Sequence, residues 1–296
     1  MEHFLESYKN WLKTLNYSES IININPKYIA EFLTWANIHD LGQINNELIE
    51  DWFNHLSHRK NRNKEGGLSL NYLKSYRNAL SQFSRFLRET GQQGFEINVS
   101  FRNQQETQRE ILTREEIQQL YEATNYYTDP GIKDKGLLAA RERAILGLFY
   151  GCGLRKNEGQ HVEIKDLDFR KDLLYVRKGK NYKERYVPIA EGVKKDFIHY
   201  LDYARPQLIR NKKHESFLTG WYGSPLKGSA ILDRVHILAA IAQINKPVGL
   251  HTLRHSIATH LLQSGMRLEQ IARFLGHSSL ESTTIYTHIS NETVSL

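Results

Sequence analysis

The chain has 296 residues, with 40 Lys and Arg against 33 Asp and Glu and a net charge of +7. At 40% hydrophobic and 11% aromatic residues it is too apolar for a disordered chain, and its length suits about two domains, each with its own core. The single cysteine, Cys152, excludes an internal disulfide framework and points to a reducing, cytoplasmic setting; no apolar run nears the roughly 18 residues of a membrane span, and the amino-terminal MEHFLESYKNW lacks the segments of an export signal.

Residues 1–99 read as helical. FLESYKNWLKTL, PKYIAEFLTWA and NELIEDWFNHL carry apolar residues at helical spacing, and turn-prone segments separate them. SLNYLKSYRNALSQFSRFLRE (69–89) is a fourth helix, and an amphipathic one. At about 100° per residue, Lys74, Arg77, Arg85 and Arg88 share an arc of about 80°. Leu73, Tyr76, Leu80, Phe83, Phe86 and Leu87 gather on the opposite side. The preceding HRKNRNKEGG adds Arg59, Lys60, Arg62 and Lys64. Charge is therefore polarised along this region: residues 1–58 carry −5, residues 59–88 carry +7 and residues 89–110 carry −2. A basic stripe alone is most simply a solvated face. Beside a nucleic-acid enzyme it becomes a phosphate-tracking surface.

SFRNQQETQRE (100–110) is nearly free of apolar residues and reads as a linker. A second unit, 111–296, holds the whole net +7. It opens with LTREEIQQLYEA, where Thr113 and Glu116 have capping-box spacing. ERAILGLFYGCGL (142–154) is a largely apolar helix ended by glycines. VEIKDLDF, LLYVRK and ERYVPI are short β-like runs, and the last two flank the turn residues of KGKNY as a hairpin. The remainder is helical. The fold expectation is mainly α with a small antiparallel β-sheet.

Four segments of this unit carry chemistry-bearing side chains. GCGLRKNEG places Arg155 and Glu158 just after the apolar helix. The hairpin tip carries Lys180. In HTLRH, His251, Arg254 and His255 share one helix face, with Leu253, Ile257 and Leu261 marking the buried side. FLGHSSLESTTIYTH puts His277 after Gly276 and Tyr286 on a helix that Ser278 and Glu281 could cap. Each has an ordinary structural explanation by itself. Two histidines four apart can also bind zinc, but the metalloprotease helix needs Glu where Thr252 stands, and there is no cysteine pair.

In order, R…K…HxxR…GH…Y, the motifs GLRKNE, GKNYKER, HTLRHSIATHLL and LGHSSLESTTIYTH resemble the tyrosine recombinase (phage integrase) family, closest to its Xer-type bacterial members. The resemblance covers about residues 111–290. It implies a helical core-binding, DNA-binding domain over 1–99, a linker over 100–110 and an α+β catalytic domain over 111–296. Position by position, Arg155 and Arg254 match the two catalytic arginines, Glu158 the supporting acid, Lys180 the hairpin lysine, His251 the histidine of the HxxR pair, His277 the second histidine or tryptophan, and Tyr286 the nucleophile. The implied activity is cleavage and rejoining of duplex DNA through a 3′-phosphotyrosyl link, with no metal or other cofactor. The implied partners are paired DNA sites bound by a homo- or hetero-tetramer, with no membrane.

On that reading, Arg59, Lys60, Lys64, Lys74, Arg77, Arg85 and Arg88 become DNA-binding candidates, the two domains clamp a duplex, and the acidic first 58 residues face away from it or toward a neighbouring protomer. The chain departs from the family pattern at Asn157, which replaces the usual Ser, and in the Gly159-Gln160-His161 that follows. Only ten residues, THISNETVSL, follow Tyr286, so no long tail exchange is expected and subunit contacts should be modest or made elsewhere. These departures lean the expected role toward a mobile-element or inversion enzyme. The alternative is a catalytically silent DNA-binding accessory protein of the same fold. A type IB topoisomerase shares the chemistry and differs in outcome.

Overall fold

The computed structural model describes residues 2–60, 67–101, 110–127, 134–177 and 184–276. Contacts divide the chain into two compact units, Met1–Thr107 and Gln108–Leu296.

The first unit is built from α1 (Glu2–Thr14), α2 (Glu19–Trp35), α3 (Asn46–His58) and α4 (Leu70–Glu89). Side chains of Ser18, Asn45 and Ser69 accept the backbone N–H three residues on, at 3.3, 2.9 and 3.3 Å, and so start α2, α3 and α4. Tyr8, Leu12, Phe32, Trp52, Leu56, Tyr76, Phe83 and Leu87 form its core. The six apolar residues expected on the inner face of α4 are all buried there, and Lys74, Arg77, Arg85 and Arg88 are all exposed. Helix α2 starts seven residues before the expected Pro26, which lies inside it. Proline suits a first turn, but here Ser18 caps earlier, and Ile29, Phe32 and Leu33 anchor the helix in the core. Packing outweighs the one missing N–H.

The second unit begins with α5 (Arg114–Ala123). Its capping box is complete: Thr113 N donates to Glu116 Oε2 at 2.7 Å, and Glu116 N to Thr113 Oγ1 at 3.2 Å. Then come α6 (Lys135–Leu146), a π-type turn over Gly147–Gly151, and the short α7 (Lys156–Gln160). Strands β1 (Leu167–Asp168), β2 (Leu173–Val176) and β3 (Arg185–Pro188) make an antiparallel sheet in that order, with Tyr175 opposite Tyr186 and Val176 opposite Arg185. Helices α8 (Glu191–His199) and α9 (Arg205–Ile209) flank a second π-type turn, and α10 (Gly228–Ile241), α11 (Leu250–Gln263) and α12 (Leu268–Leu275) follow. The chain is thus mainly helical with a small antiparallel sheet.

Two expectations are corrected. VEIKDLDF is not one strand: Ile164–Asp166 is a 3-10 turn and only Leu167–Asp168 pairs. Asp166 Oδ2 accepts Glu163 N at 2.8 Å, and both carboxylates hold Arg177, which bends the segment. On α11, Leu253 is buried while Ile257 and Leu261 are half-buried. The helix buries Arg254, Ser256, Ala258, Thr259 and His260 as well, because it packs on more than one side.

Candidate active site

Gly153, at φ 60°, reverses the chain after the π-type turn. A Cβ there would lie 2.9 Å from Phe274 and 3.0 Å from Leu275, so only glycine lets this corner approach the end of α12. The reversal delivers Arg155 and, one turn into α7, Glu158. Helix α11 brings Arg254 to the same place. The C-terminal end of α12 closes it.

Glu158 is the hub. Its Oε1 accepts Arg155 Nη1 at 2.9 Å and Arg185 Nη1 at 3.0 Å; its Oε2 accepts Arg155 N at 2.8 Å and Arg185 Nη2 at 3.0 Å. Arg254 Nη1 lies 3.8 Å from Oε2. Side-chain exposure is 3% for Glu158, 4% for Arg254, 8% for Arg185 and 16% for Arg155, so this is an interior cluster of three guanidiniums around one carboxylate. Buried charge needs acceptors. Further acceptors among the described residues are backbone carbonyls. Arg185 Nε donates to Phe274 O at 2.9 Å, Arg254 Nη2 to Leu275 O at 2.7 Å and Arg155 Nη2 to Gly276 O at 3.0 Å, while Arg155 Nη1 reaches Leu275 O at 3.4 Å. Arg254 Nη1 donates to Gly153 O. The Phe274, Leu275 and Gly276 oxygens lie at the C-terminal end of α12, where carbonyls lack helical partners and the helix dipole is negative. Gly276 ends that helix in the left-handed conformation at φ 66°.

Burial alone would raise the Glu158 carboxyl. The hydrogen bonds and charge of Arg185, then the backbone N–H and charge of Arg155, outweigh it and bring the pKa down to about 2. Glu158 is therefore ionised at any working pH, yet three guanidiniums leave the site electropositive. His251, one turn before Arg254 on α11, stands exposed at the edge, beside Lys156, His236 and Lys246 along an open groove. Partial desolvation of its ring lowers its pKa, and Arg254, Lys156 and Arg155 lower it further. It is held neutral near pH 7, the state a proton acceptor needs.

The structure thus brings Arg155, Glu158, Arg254 and His251 to one place. Lys180, His277, Tyr286 and Lys64 lie outside the described residues. Sequence reasoning missed Arg185. It is quoted within GKNYKER, but a basic residue at a hairpin's foot ordinarily points to water. Its cue was the rigid strand start it occupies, five residues after Lys180.

In the first unit, Lys60, Lys74, Arg77 and Arg88 are exposed. Arg77 and Arg88 line a polar hollow with Asn78, Ser81 and Asn98. Arg59 and Arg85 are engaged within the unit. Arg59 pairs with Glu31, which also accepts from Tyr76. Arg85 pairs with Glu89 at 2.8 Å, and Glu89 accepts Trp11 Nε1 at 3.0 Å.

The phage integrase family model matches residues 110–293. Over 302 aligned residues the chain is 28% identical to tyrosine recombinase XerC 2 of Ralstonia nicotianae, spanning 99% of this chain and 83% of that one. It is 36% identical over 154 residues to tyrosine recombinase XerD of Staphylococcus aureus, a match spanning about half of each, 52% and 52%. Among solved structures, XerH site-specific recombinase bound to its palindromic difH substrate superposes with TM-score 0.71 at 23% identity, covering 92% of this chain and 77% of that one. The Tn1549 transposon integrase in complex with circular intermediate DNA gives TM-score 0.67 at 16% identity, covering 98% of each. Those structural likenesses concern the fold; the family match covers the whole arginine cluster, and the chain belongs to the phage integrase family, the tyrosine recombinases.

Proposed function

We propose that this chain is a site-specific recombinase that cleaves and rejoins duplex DNA through a covalent 3′-phosphotyrosyl intermediate on Tyr286. The observation that carries the reading is the convergence of Arg155 and Arg254 on Glu158, with His251 one turn away.

Attack of a tyrosine oxygen on a phosphodiester builds negative charge on the non-bridging oxygens. Two permanently charged, planar guanidiniums held rigidly at one point are suited to that charge, and their fixed positions make the stabilisation preorganised. Glu158 supports this by fixing Arg155 rather than by moving a proton, because its carboxyl stays ionised. An ordinary tyrosine pKa near 10 requires a base, and neutral His251 accepts the Tyr286 proton. The new bond joins the tyrosine oxygen to phosphorus, and the bond from phosphorus to the 5′ oxygen breaks. Lys180 protonates the leaving 5′ oxygen, and His277 donates a hydrogen bond to the scissile phosphate. Rejoining runs the same steps backward. The phosphodiester energy is kept in the protein link, so neither a metal nor ATP is required.

Lys74, Arg77 and Arg88 on α4, with Lys60 and Lys64, contact the DNA backbone. Four protomers, identical or with a partner recombinase, act on two paired sites in the cytoplasm. Among the described residues no helix is long and apolar enough to cross a membrane.

The test uses the full-length protein with randomly nicked genomic duplex from its source and excess chelator. A protein–DNA adduct that survives boiling in detergent is expected, and Tyr286→Phe should lose it. DNA binding without any adduct would favour the accessory reading. Loss of the adduct on chelation would contradict the mechanism.

A further inference from the structure

We propose that Arg185 is a positioning residue for cleavage: it locks the foot of the β2–β3 hairpin, the Glu158 carboxylate and the end of α12 into one unit, and so sets the two catalytic arginines. This rests on the recombinase reading above.

The geometry is that of a three-way clamp. Arg185 is the first residue of β3 and pairs across the ladder with Val176, the last residue of β2. Its backbone therefore belongs to the hairpin whose connecting residues include Lys180. Its side chain leaves the sheet and grips Glu158 with two parallel hydrogen bonds of 3.0 Å each. The third arm, Nε, donates to Phe274 O at 2.9 Å. Guanidinium is the only side-chain group that can do all three at once, with a planar fork for the carboxylate and Nε to spare.

Glu158 has two oxygens and several suitors. Arg185 occupies one direction on each of them. The remaining directions accept Arg155 Nη1 and Arg155 N. The orientation of Arg155 is thus set by a carboxylate that Arg185 orients. Arg254 is reached by the other route: its Nη2 donates to Leu275 O, next to the carbonyl that Arg185 holds. The fit is tight, since a Cβ on Gly276 would lie 2.8 Å from Arg185 Nη1 and 2.9 Å from its Cδ. Residue 276 directly precedes His277 in the chain, so the clamp also fixes the point from which the segment carrying His277 and Tyr286 departs.

A group that only supported the fold would act differently from one that orients Glu158. Without Arg185, the carboxylate loses the strongest influence holding its pKa down, while burial still pushes it up. Protonated Glu158 would release Arg155. The cost of losing Arg185 must therefore grow as pH falls.

The experiment uses the nicked duplex recovered from the wild-type adduct, so wild-type cleavage is established before any variant is judged. Single-turnover adduct formation is followed across pH 5.5–8.5 for wild type, Arg185→Gln and Arg185→Lys, after each has shown cooperative unfolding. Arg185→Gln should bind the duplex and cleave about tenfold to a hundredfold more slowly at neutral pH, the scale of a small misplacement of catalytic groups. Its deficit relative to wild type should widen toward pH 5.5; the His251 limb is common to both and cancels in the ratio. Arg185→Lys keeps the charge without the two-pronged grip, so it should be slower than wild type, with a deficit that changes less with pH than that of Arg185→Gln. Wild-type rates in Arg185→Gln would overturn the proposal, and so would a deficit equal at every pH. If Arg185→Gln does not fold, a folded Arg185→Lys with wild-type cleavage overturns it.

Discussion

Two side chains in the site, Glu158 and His251, are both shifted downward: neighbouring positive charge lowers each, while burial opposes the shift at Glu158 and adds to it at His251. Burial opposes the Glu158 charge, but Arg185 and Arg155 overcome it. Partial burial and the same positive field both disfavour protonated His251. The outcome is an ionised carboxylate and an imidazole held neutral, the states that the proposed mechanism calls for. Glu158 also ties stability to pH. Its carboxyl sits near 2 in the folded chain against an ordinary 4.5, so the unfolded chain binds the extra proton between those values. Its contribution, on the order of 3 kcal/mol, is whole above about pH 4.5 and is lost as pH falls toward about 2. Urea unfolding of wild type and Glu158→Gln should therefore differ most at pH 7 and converge toward pH 3. A difference that stays constant would contradict this account of the cluster.

At the level of elements, α12 matters through its end rather than its face. Its last carbonyls take up three guanidiniums, and Gly276 makes that possible. Gly276→Ala places a Cβ against Arg185 and forces alanine to φ 66°. The left-handed conformation alone costs about 1–2 kcal/mol, and adduct formation should fall with it. Chemical denaturation gives the first quantity, and a variant as stable as wild type would show the corner to be looser than described. Elements were legible where one period decides them. The inner face of α4 was read correctly because six apolar residues repeat at helical spacing. The start of α2 was not, because the packing that carries the helix through Pro26 is not a local property of the segment. Arg141 and Glu142 show another limit. They form a fully buried ion pair within α6 at 2.6 Å, yet in sequence they look like a solvated edge beside an apolar run. Arg155, Glu158, His251 and Arg254 could be found because they sit in extended motifs. Arg185 could not, since its role depends on three partners distant in sequence.

Across the whole molecule, charge is the property that total counts hide. The +7 lies in residues 111–296, while residues 59–88 carry another +7 balanced by their acidic flanks. The structure divides those basic residues further. Arg59 and Arg85 have carboxylate partners within the unit, whereas Arg77 and Arg88 line a polar hollow on α4. If these two contact DNA phosphates, Arg77→Glu with Arg88→Glu should weaken binding at every sequence. It should also reduce the slope of log affinity against log salt by about 2, near one unit per contact. An unchanged slope would move the interface elsewhere. The central claim concerns chemistry at one atom, and it is tested most directly by digesting the detergent-stable adduct with nuclease and protease and locating the residual nucleotide by mass spectrometry. The account predicts a 3′-linked nucleotide on Tyr286, formed in the presence of chelator. A nucleotide on any other residue, or none, would contradict it.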